Sequence, residues 1–180
     1  MADVVLVSMP FGPLFWPSLG LSLLQPQLAS RGVSTEIEYF TIPFAEVIGE
    51  RLYSTIAMSY QLSMREQAGE WIFSHALAPQ SDEQADRYVD EILRQRSGYL
   101  TRRASIPAWV IDGMRRARTR VGPFLERCLD AVEHHQPAIV GFTSVFQQHV
   151  ASLALAKATL SFRISSRATS PSRRLTACPA

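Results

Sequence analysis

Few of the side chains that could do chemistry in this chain stand where they could do it together. The histidines are His75, the adjacent pair His134-His135, and His149, and the pair lacks the i, i+4 spacing by which two helical imidazoles share a metal. Cys128 and Cys178 lie 50 residues apart, with neither a disulfide framework nor a ligand spacing. No serine–histidine–aspartate arrangement, carboxylate pair or phosphate-cradling glycine loop is present. What remains is a chemistry of recognition. Ser8, Met9, Pro10 and Phe11, with Trp16 and Ser18 behind them, offer backbone amides and flat apolar surface to a ligand. The competing role for Phe11, Phe15 and Trp16 is to cap the core. Thr143, Ser144, Gln147 and Gln148 offer hydrogen bonds to a ligand's amides, against a reading of Ser144 as a helix N-cap and of the glutamines as solvated.

Both clusters occupy the same place in a repeated plan. Residues 4–24 read VVLVSMPFGPLFWPSLGLSLL and residues 138–156 read AIVGFTSVFQQHVASLALA. Each has a short apolar, β-branched run, a turn of small or polar residues, and an apolar-periodic helix. Unbroken apolar runs of strand length suit a parallel sheet covered on both faces. In such a sheet the turn after a strand lies at the carboxyl edge, where ligands bind.

Pro10, Gly12 and Pro13 break regular structure after the first strand. Ser18 is the expected cap of a helix over residues 19–29, whose leucines suit packing on a sheet. Gly32 closes that helix, and Pro26 is expected to kink or shorten it. STEIEYF at residues 34–40 alternates and predicts a half-exposed second strand. A third strand is expected over residues 138–143, then a helix over 149–158. About 95 residues separate the second strand from the third, where a crossover needs only about a dozen. Helical periodicity fills that interval at residues 43–57, 69–77, 82–96 and 106–135. Ser81 and Gln84 resemble a capping box, and Gly122-Pro123 either kinks or divides the last run. The expected fold is α/β: a Rossmann-like parallel sheet, three strands evident and incomplete, with a large helical insertion at 43–135.

An apolar share of 47% suits a globular core, and no apolar run approaches the length of a bilayer span. The start, MADVVLV, lacks the basic leader of a signal peptide, so a cytoplasmic protein is expected. The net charge of +2 is unevenly placed: residues 157–180 hold five of the 18 basic residues and none of the 16 acids. The body therefore has 13 basic residues against 16 acids, and no charge-based claim on nucleic acid. Cys128, in an apolar helical run, reads as a buried thiol, and Glu70 and Trp71 read as structural. Asp112, Arg115, Arg116, Arg118 and Arg120 read as a solvated helix face, and His134-His135 as a solvated helix end.

Taken together, VVLVSMPFGPLFWPSLGLSLL, YFTIPFAEVIGERLY, GEWIF and IVGFTSVFQQHVASLALAKA resemble one known family. The chain is similar to the amino-terminal, cobalamin-binding-type domain of radical S-adenosylmethionine enzymes, especially the C-methyltransferases that mature ribosomally made peptides. The likeness covers about residues 4–157. In that family the domain precedes a barrel whose CxxxCxxC motif holds a 4Fe–4S cluster. The cluster cleaves S-adenosylmethionine to a radical, and cobalamin carries the methyl group. The resemblance implies cobalamin as the ligand here, with Ser8, Met9, Pro10, Phe11, Trp16, Ser18, Thr143, Ser144, Gln147 and Gln148 as its cradle. It implies a peptide as the substrate of the intact enzyme. CxxxCxxC does not occur in this chain, so the cluster and S-adenosylmethionine belong to the intact family enzyme alone. A cobalt-ligating histidine would stand in an Asp-x-His-x-x-Gly motif after the first strand. None does, and His149 lies at another position, so no metal ligand is assigned.

From residue 159 onward, TLSFRISSRATSPSRRLTACPA has neither a helical nor an alternating period. Two readings stand for it: a disordered basic tail, or out-of-frame sequence replacing the family's further strands. The expected division is a domain at 1–158 and an irregular tail at 159–180. On this reading the chain is a fragment supplying the cobalamin-binding-type domain of a C-methyltransferase, inactive alone. The alternative of another class is a non-catalytic α/β interaction module using the helical insert. With three strands the sheet keeps an open edge, so self-association through that edge is expected.

Overall fold

A computed structural model describes residues 1–94, 106–145 and 147–169. Strands β1 (Val4–Ser8), β2 (Thr35–Tyr39) and β3 (Ile139–Phe142) form a parallel sheet in the order β2-β1-β3. The unbroken apolar run of β1 is explained by its central place, where all five residues are buried. Register puts Val5, Glu36 and Val140 side by side, then Val7, Glu38 and Phe142, on one face of the sheet. The other face carries Val4, Leu6, Ile37, Tyr39 and Ile139.

Helix α1 (Leu19–Ala29) packs on that second face, where Leu21 and Leu28 meet Val4, Leu6, Val33, Ile37 and Tyr39. Ser18 caps it, its hydroxyl accepting from the Leu21 N–H at 3.4 Å. Pro26 does not shorten it; the last turn closes through Ser30 N–H to the Pro26 carbonyl at 3.0 Å. One expectation needs correction. Of the five leucines, only Leu21 is buried, and Leu19 and Leu23 are 72% and 55% exposed. The helix is apolar all round, and the sheet takes a single flank of it.

The opposite face is covered by the insert. It comprises α2 (Thr41–Ile48), α3 (Glu50–Met58), a π-helical turn at Gln61–Arg65, α4 (Ala68–Leu77), α5 (Asp82–Tyr88), a second π-helical turn at Val89–Leu93, and α6 (Ala108–His134). The periodic run at 43–57 is two helices because Gly49, at φ 91°, turns the chain between them. Ser81 and Gln84 form the full capping box of α5, and residues 95 and 96 of the run expected there lie outside the described residues. Gly122-Pro123 does not divide α6, which runs unbroken for 27 residues with Val121, Phe124 and Leu125 buried on either side. Phe11, Phe44, Tyr53, Phe73 and Phe124 form an aromatic cluster continuous with Val5 and Val7 of the sheet. The insert is thus a layer of the same core.

Three further expectations change. Residues 159–169 are not irregular, because α7 runs from His149 to Thr169; residues 170–180, with Cys178, lie outside the described residues. Arg118 is not solvated: it stacks 4.3 Å over Trp71 and donates to the Trp71 carbonyl, to Ser74 Oγ at 3.1 Å and to Gln80 Oε1 at 3.0 Å. His135 is not free at a helix end either, since its Nε2 lies 2.7 Å from Glu38 Oε1 on β2. Cys128 is buried, and burial pushes its thiol up, which keeps it protonated and inert. Among the described residues no helix is long and apolar enough to cross a membrane.

Candidate ligand-binding site

From the carboxyl end of β1 the chain turns into α1, on one face of the sheet, towards β2; from that of the neighbouring β3 it turns into α7, on the opposite face. Because the two connections diverge, such a switch point opens a crevice outside the carboxyl ends of the strands. The loops after β1 and β3 meet there. Gln148 ties them together: Nε2 donates to the Met9 carbonyl and, at 3.5 Å, to Ser8 Oγ, while Oε1 accepts from Thr143 Oγ1 at 3.2 Å. Gly12 makes room for the tie, since a Cβ there would stand 2.7 Å from Gln148 Nε2. The Gly12 carbonyl accepts from Tyr53 Oη at 2.8 Å, and burial pushes that phenol up, so it stays a donor.

The resulting crevice holds about 140 Å³ and is lined by Ser8, Gly12, Trp16, Ser18, Tyr39, Thr143, Val145, Gln148 and two prolines. On one side it opens into a depression of about 200 Å³ walled by Leu14, Phe15, Trp16, Tyr39, Thr41 and Ile42. On the other side, past Val145, lies a cleft of about 460 Å³ between the insert and α7. That cleft is lined by Ser63, Gln67, Glu70, Ser144, Gln147, His149 and Val150. Phe15, Trp16, Ile42 and Val145 are each more than half exposed, which gives the crevice an apolar rim.

The residues singled out from sequence play different parts in this arrangement. Ser8, Trp16, Ser18, Thr143 and Gln148 line the crevice. Met9, Pro10 and Phe11 turn inward; Phe11 packs against Phe44 and Tyr53, with centroids 5.6 and 4.9 Å away. The three loop aromatics therefore divide, Phe11 capping the core while Phe15 and Trp16 form the rim. Gln147 and Gln148 are buried rather than solvated. Gln147 ties β3's loop to the insert, accepting from the Gly69 N–H at 2.8 Å and donating to the Ile56 carbonyl at 3.3 Å. Ser144 bonds the His149 ring at Nδ1 and does not cap α7. Glu70 caps it instead, accepting from the His149 and Val150 N–H groups at 3.1 and 2.7 Å, as suits a carboxylate at the positive end of a helix. Phe146 lies outside the described residues.

Sequence reasoning missed Gly12, Tyr39 and Val145 as lining residues, and it read Glu70 as structural without the helix end that it caps. Gly12 carried a signal, being the one residue of its loop without a Cβ. Glu70 carried none, because its partner is 79 residues away.

No protein-family model, curated protein or solved structure matches this chain. Its own geometry therefore carries the functional argument. The Ser8 and Ser18 oxygens accept hydrogen bonds inside the fold, from Gln148 Nε2 and the Leu21 N–H, and each hydroxyl can also donate. With the apolar rim, this fits a flat ligand fringed with acceptors, larger than the crevice and lying across its mouth. Among the described residues no group of three or more histidine, cysteine, aspartate or glutamate side chains is placed to hold a metal ion.

Proposed function

We propose that this chain is the cobalamin-binding-type domain of a radical S-adenosylmethionine C-methyltransferase acting in the maturation of a peptide natural product. The observation that carries the reading is the switch-point crevice, where the two loops singled out by the resemblance converge under an apolar rim. Trp16 and Phe15 would lie against the macrocycle, and Ser8 and Ser18 would donate to its amides. Bound cobalamin supplies a methyl carrier between S-adenosylmethionine and a substrate radical. The cluster that makes the radical has no cysteine motif in this chain and would be supplied from outside it.

The test is direct. Purified protein is mixed with hydroxocobalamin, passed through gel filtration, and its visible spectrum recorded. Co-elution of corrin absorbance, lost in a Trp16→Ala variant of unchanged circular dichroism, is the expected result. Absence of corrin from the protein peak would sink cofactor binding.

A second reading, a non-catalytic interaction module using the insert, is favoured by one observation. Met58, Tyr60 and Met64 are 63%, 72% and 41% exposed within seven residues of the insert. Retention of a partner protein by a chain that takes up no corrin would support it.

A further inference from the structure

The cleft between the insert and α7 holds a pair of groups that the crevice does not use. Ser144 and His149 both line it, both are exposed, and the serine hydroxyl is hydrogen-bonded to His149 Nδ1. In the tautomer protonated at Nε2, Nδ1 is the acceptor and the serine O–H the donor. Through such a contact a histidine takes the proton of a serine as its oxygen attacks an electrophile. The backbone that carries the pair is held at both ends. Thr143, just before the serine, donates its N–H to the Val7 carbonyl at 2.9 Å and accepts at its own carbonyl from Ser152 Oγ at 3.0 Å. His149 opens α7, and the Glu70 carboxylate binds its N–H at 3.1 Å. Between them Gln147 takes a φ of 64°, a left-handed conformation disfavoured for a residue with a Cβ. Its buried side chain, bonded to the Gly69 N–H and the Ile56 carbonyl, holds it there. Gln67, on the insert wall, is left-handed too, at φ 50°. Of the three non-glycine residues with positive φ among the described residues, two therefore line this one cleft. Strain of this kind collects where side chains must be held in place for a function.

We propose that Ser144 is a nucleophile with His149 as its general base, and that the cleft takes a carboxylic ester. Ser144 Oγ forms a bond to the acyl carbon while its proton passes to His149 Nδ1. The bond from the acyl carbon to the leaving alcohol then breaks, and the alcohol departs with that proton. Water attacks the acyl-serine with the same imidazole as base, which releases the acid and restores the hydroxyl. Ser63 and Gln67, from the insert wall, carry hydrogen-bond donors for the acyl oxygen. The walls favour a neutral substrate over a phosphate. Apart from the histidine, Glu70 is the one ionisable side chain among the described lining residues, and its carboxylate already holds the start of α7. The inference stands independently of the ligand assigned to the crevice, which Ser144 and His149 do not line.

The full chain is treated with a fluorophosphonate, from which an activated serine displaces fluoride to leave a stable phosphonyl ester, and the modified residue is located by peptide mass spectrometry. The expected adduct is on Ser144. It should be absent in Ser144→Ala and form at least about tenfold more slowly in His149→Gln, with circular dichroism unchanged in both. Hydrolysis of p-nitrophenyl acetate by the parent should fall by at least about tenfold in each variant. Ser144→Cys gives a second reading of the same base: iodoacetamide should alkylate that position at least about tenfold faster than when His149→Gln is added. No adduct at Ser144, an adduct spread evenly over exposed serines such as Ser22 and Ser30, ester hydrolysis that survives Ser144→Ala, or labelling and alkylation rates indifferent to His149 would each overturn the proposal.

Discussion

At the scale of single residues, two glycines show a missing methyl acting in opposite senses. A Cβ on Gly69 would lie 2.6 Å from Phe11 Cδ2 and 2.9 Å from Gln147 Cβ, both buried and held by packing. A Cβ on Gly122, exposed inside α6, would meet nothing within 4 Å. Gly69→Ala is therefore expected to destabilise by about 1–3 kcal/mol through overpacking, and Gly122→Ala to stabilise by about 0.5–1 kcal/mol through reduced chain entropy. Urea unfolding of the two variants, with midpoints moving in opposite directions, checks both. Gln147 is a tie between loop and insert, and Gln147→Leu would leave the Gly69 N–H and the Ile56 carbonyl buried without partners. The expected cost is about 2 kcal/mol or more, read from the same titration. His75 sets a pH dependence. Burial first, and then the Arg118 guanidinium, holds its imidazole below the ordinary 6.5, against a smaller opposing pull from the Ile72 backbone. The unfolded chain thus takes up this proton at higher pH than the folded one. Its effect on stability is absent above about pH 6.5 and destabilising as pH falls from there through the folded value. The melting temperature should drop between pH 7 and pH 5, and His75→Leu should shrink that drop; an identical drop in the variant would exclude His75 as its source.

At the scale of elements, legibility followed how local the deciding interaction was. Helix α1 was legible to the residue because its cap, Ser18, and its closing glycine, Gly32, are in the chain beside it. The strands were legible because β1 is buried on both faces and β2 alternates. The two loops of the crevice were legible as loops, since a strand, a turn and a helix fix their place at the carboxyl edge. The directions of their side chains were not, because Phe11 turns inward only to meet Phe44 and Tyr53, more than thirty residues away. The second half of α7 was missed for a similar reason. Its many Ser and Thr residues have weak helical preference. Tertiary contacts hold it: Thr159 is buried, and Arg163 Nε lies 2.8 Å from Glu133 Oε1 on α6. Deletion of residues 159–180 is therefore expected to cost roughly 1–3 kcal/mol, from the lost packing and the lost partly buried pair. Guanidinium unfolding of the full and shortened chains checks it. An unchanged midpoint would mean that the domain ends at residue 158 after all.

At the scale of the whole molecule, the question is whether the insert folds as a unit of its own. Its size and its place between β2 and β3 suggest an appended subdomain, but the packing argues otherwise. One continuous apolar cluster takes Val5 and Val7 from the sheet, Phe44, Ile72, Phe73 and Phe124 from the insert, and Ala151 and Leu155 from α7. Without the insert that face of the sheet would be bare; without the sheet the aromatic cluster would lose its floor. Neither part can bury its apolar surface alone, so the two should unfold together. Trp71 is a suitable reporter for the insert, being buried and stacked on Tyr88 at 4.8 Å, once Trp16 and Trp109 are replaced by Phe. The amides of Val5 and Val7 report the sheet through hydrogen exchange under native conditions. The unfolding free energy from Trp71 fluorescence should equal the opening free energy of those amides within about 1 kcal/mol, because a single global transition governs both. A Trp71 transition complete at denaturant concentrations that leave Val5 and Val7 protected would show that the insert is an independent unit, with the crevice lying between two bodies rather than at the edge of one.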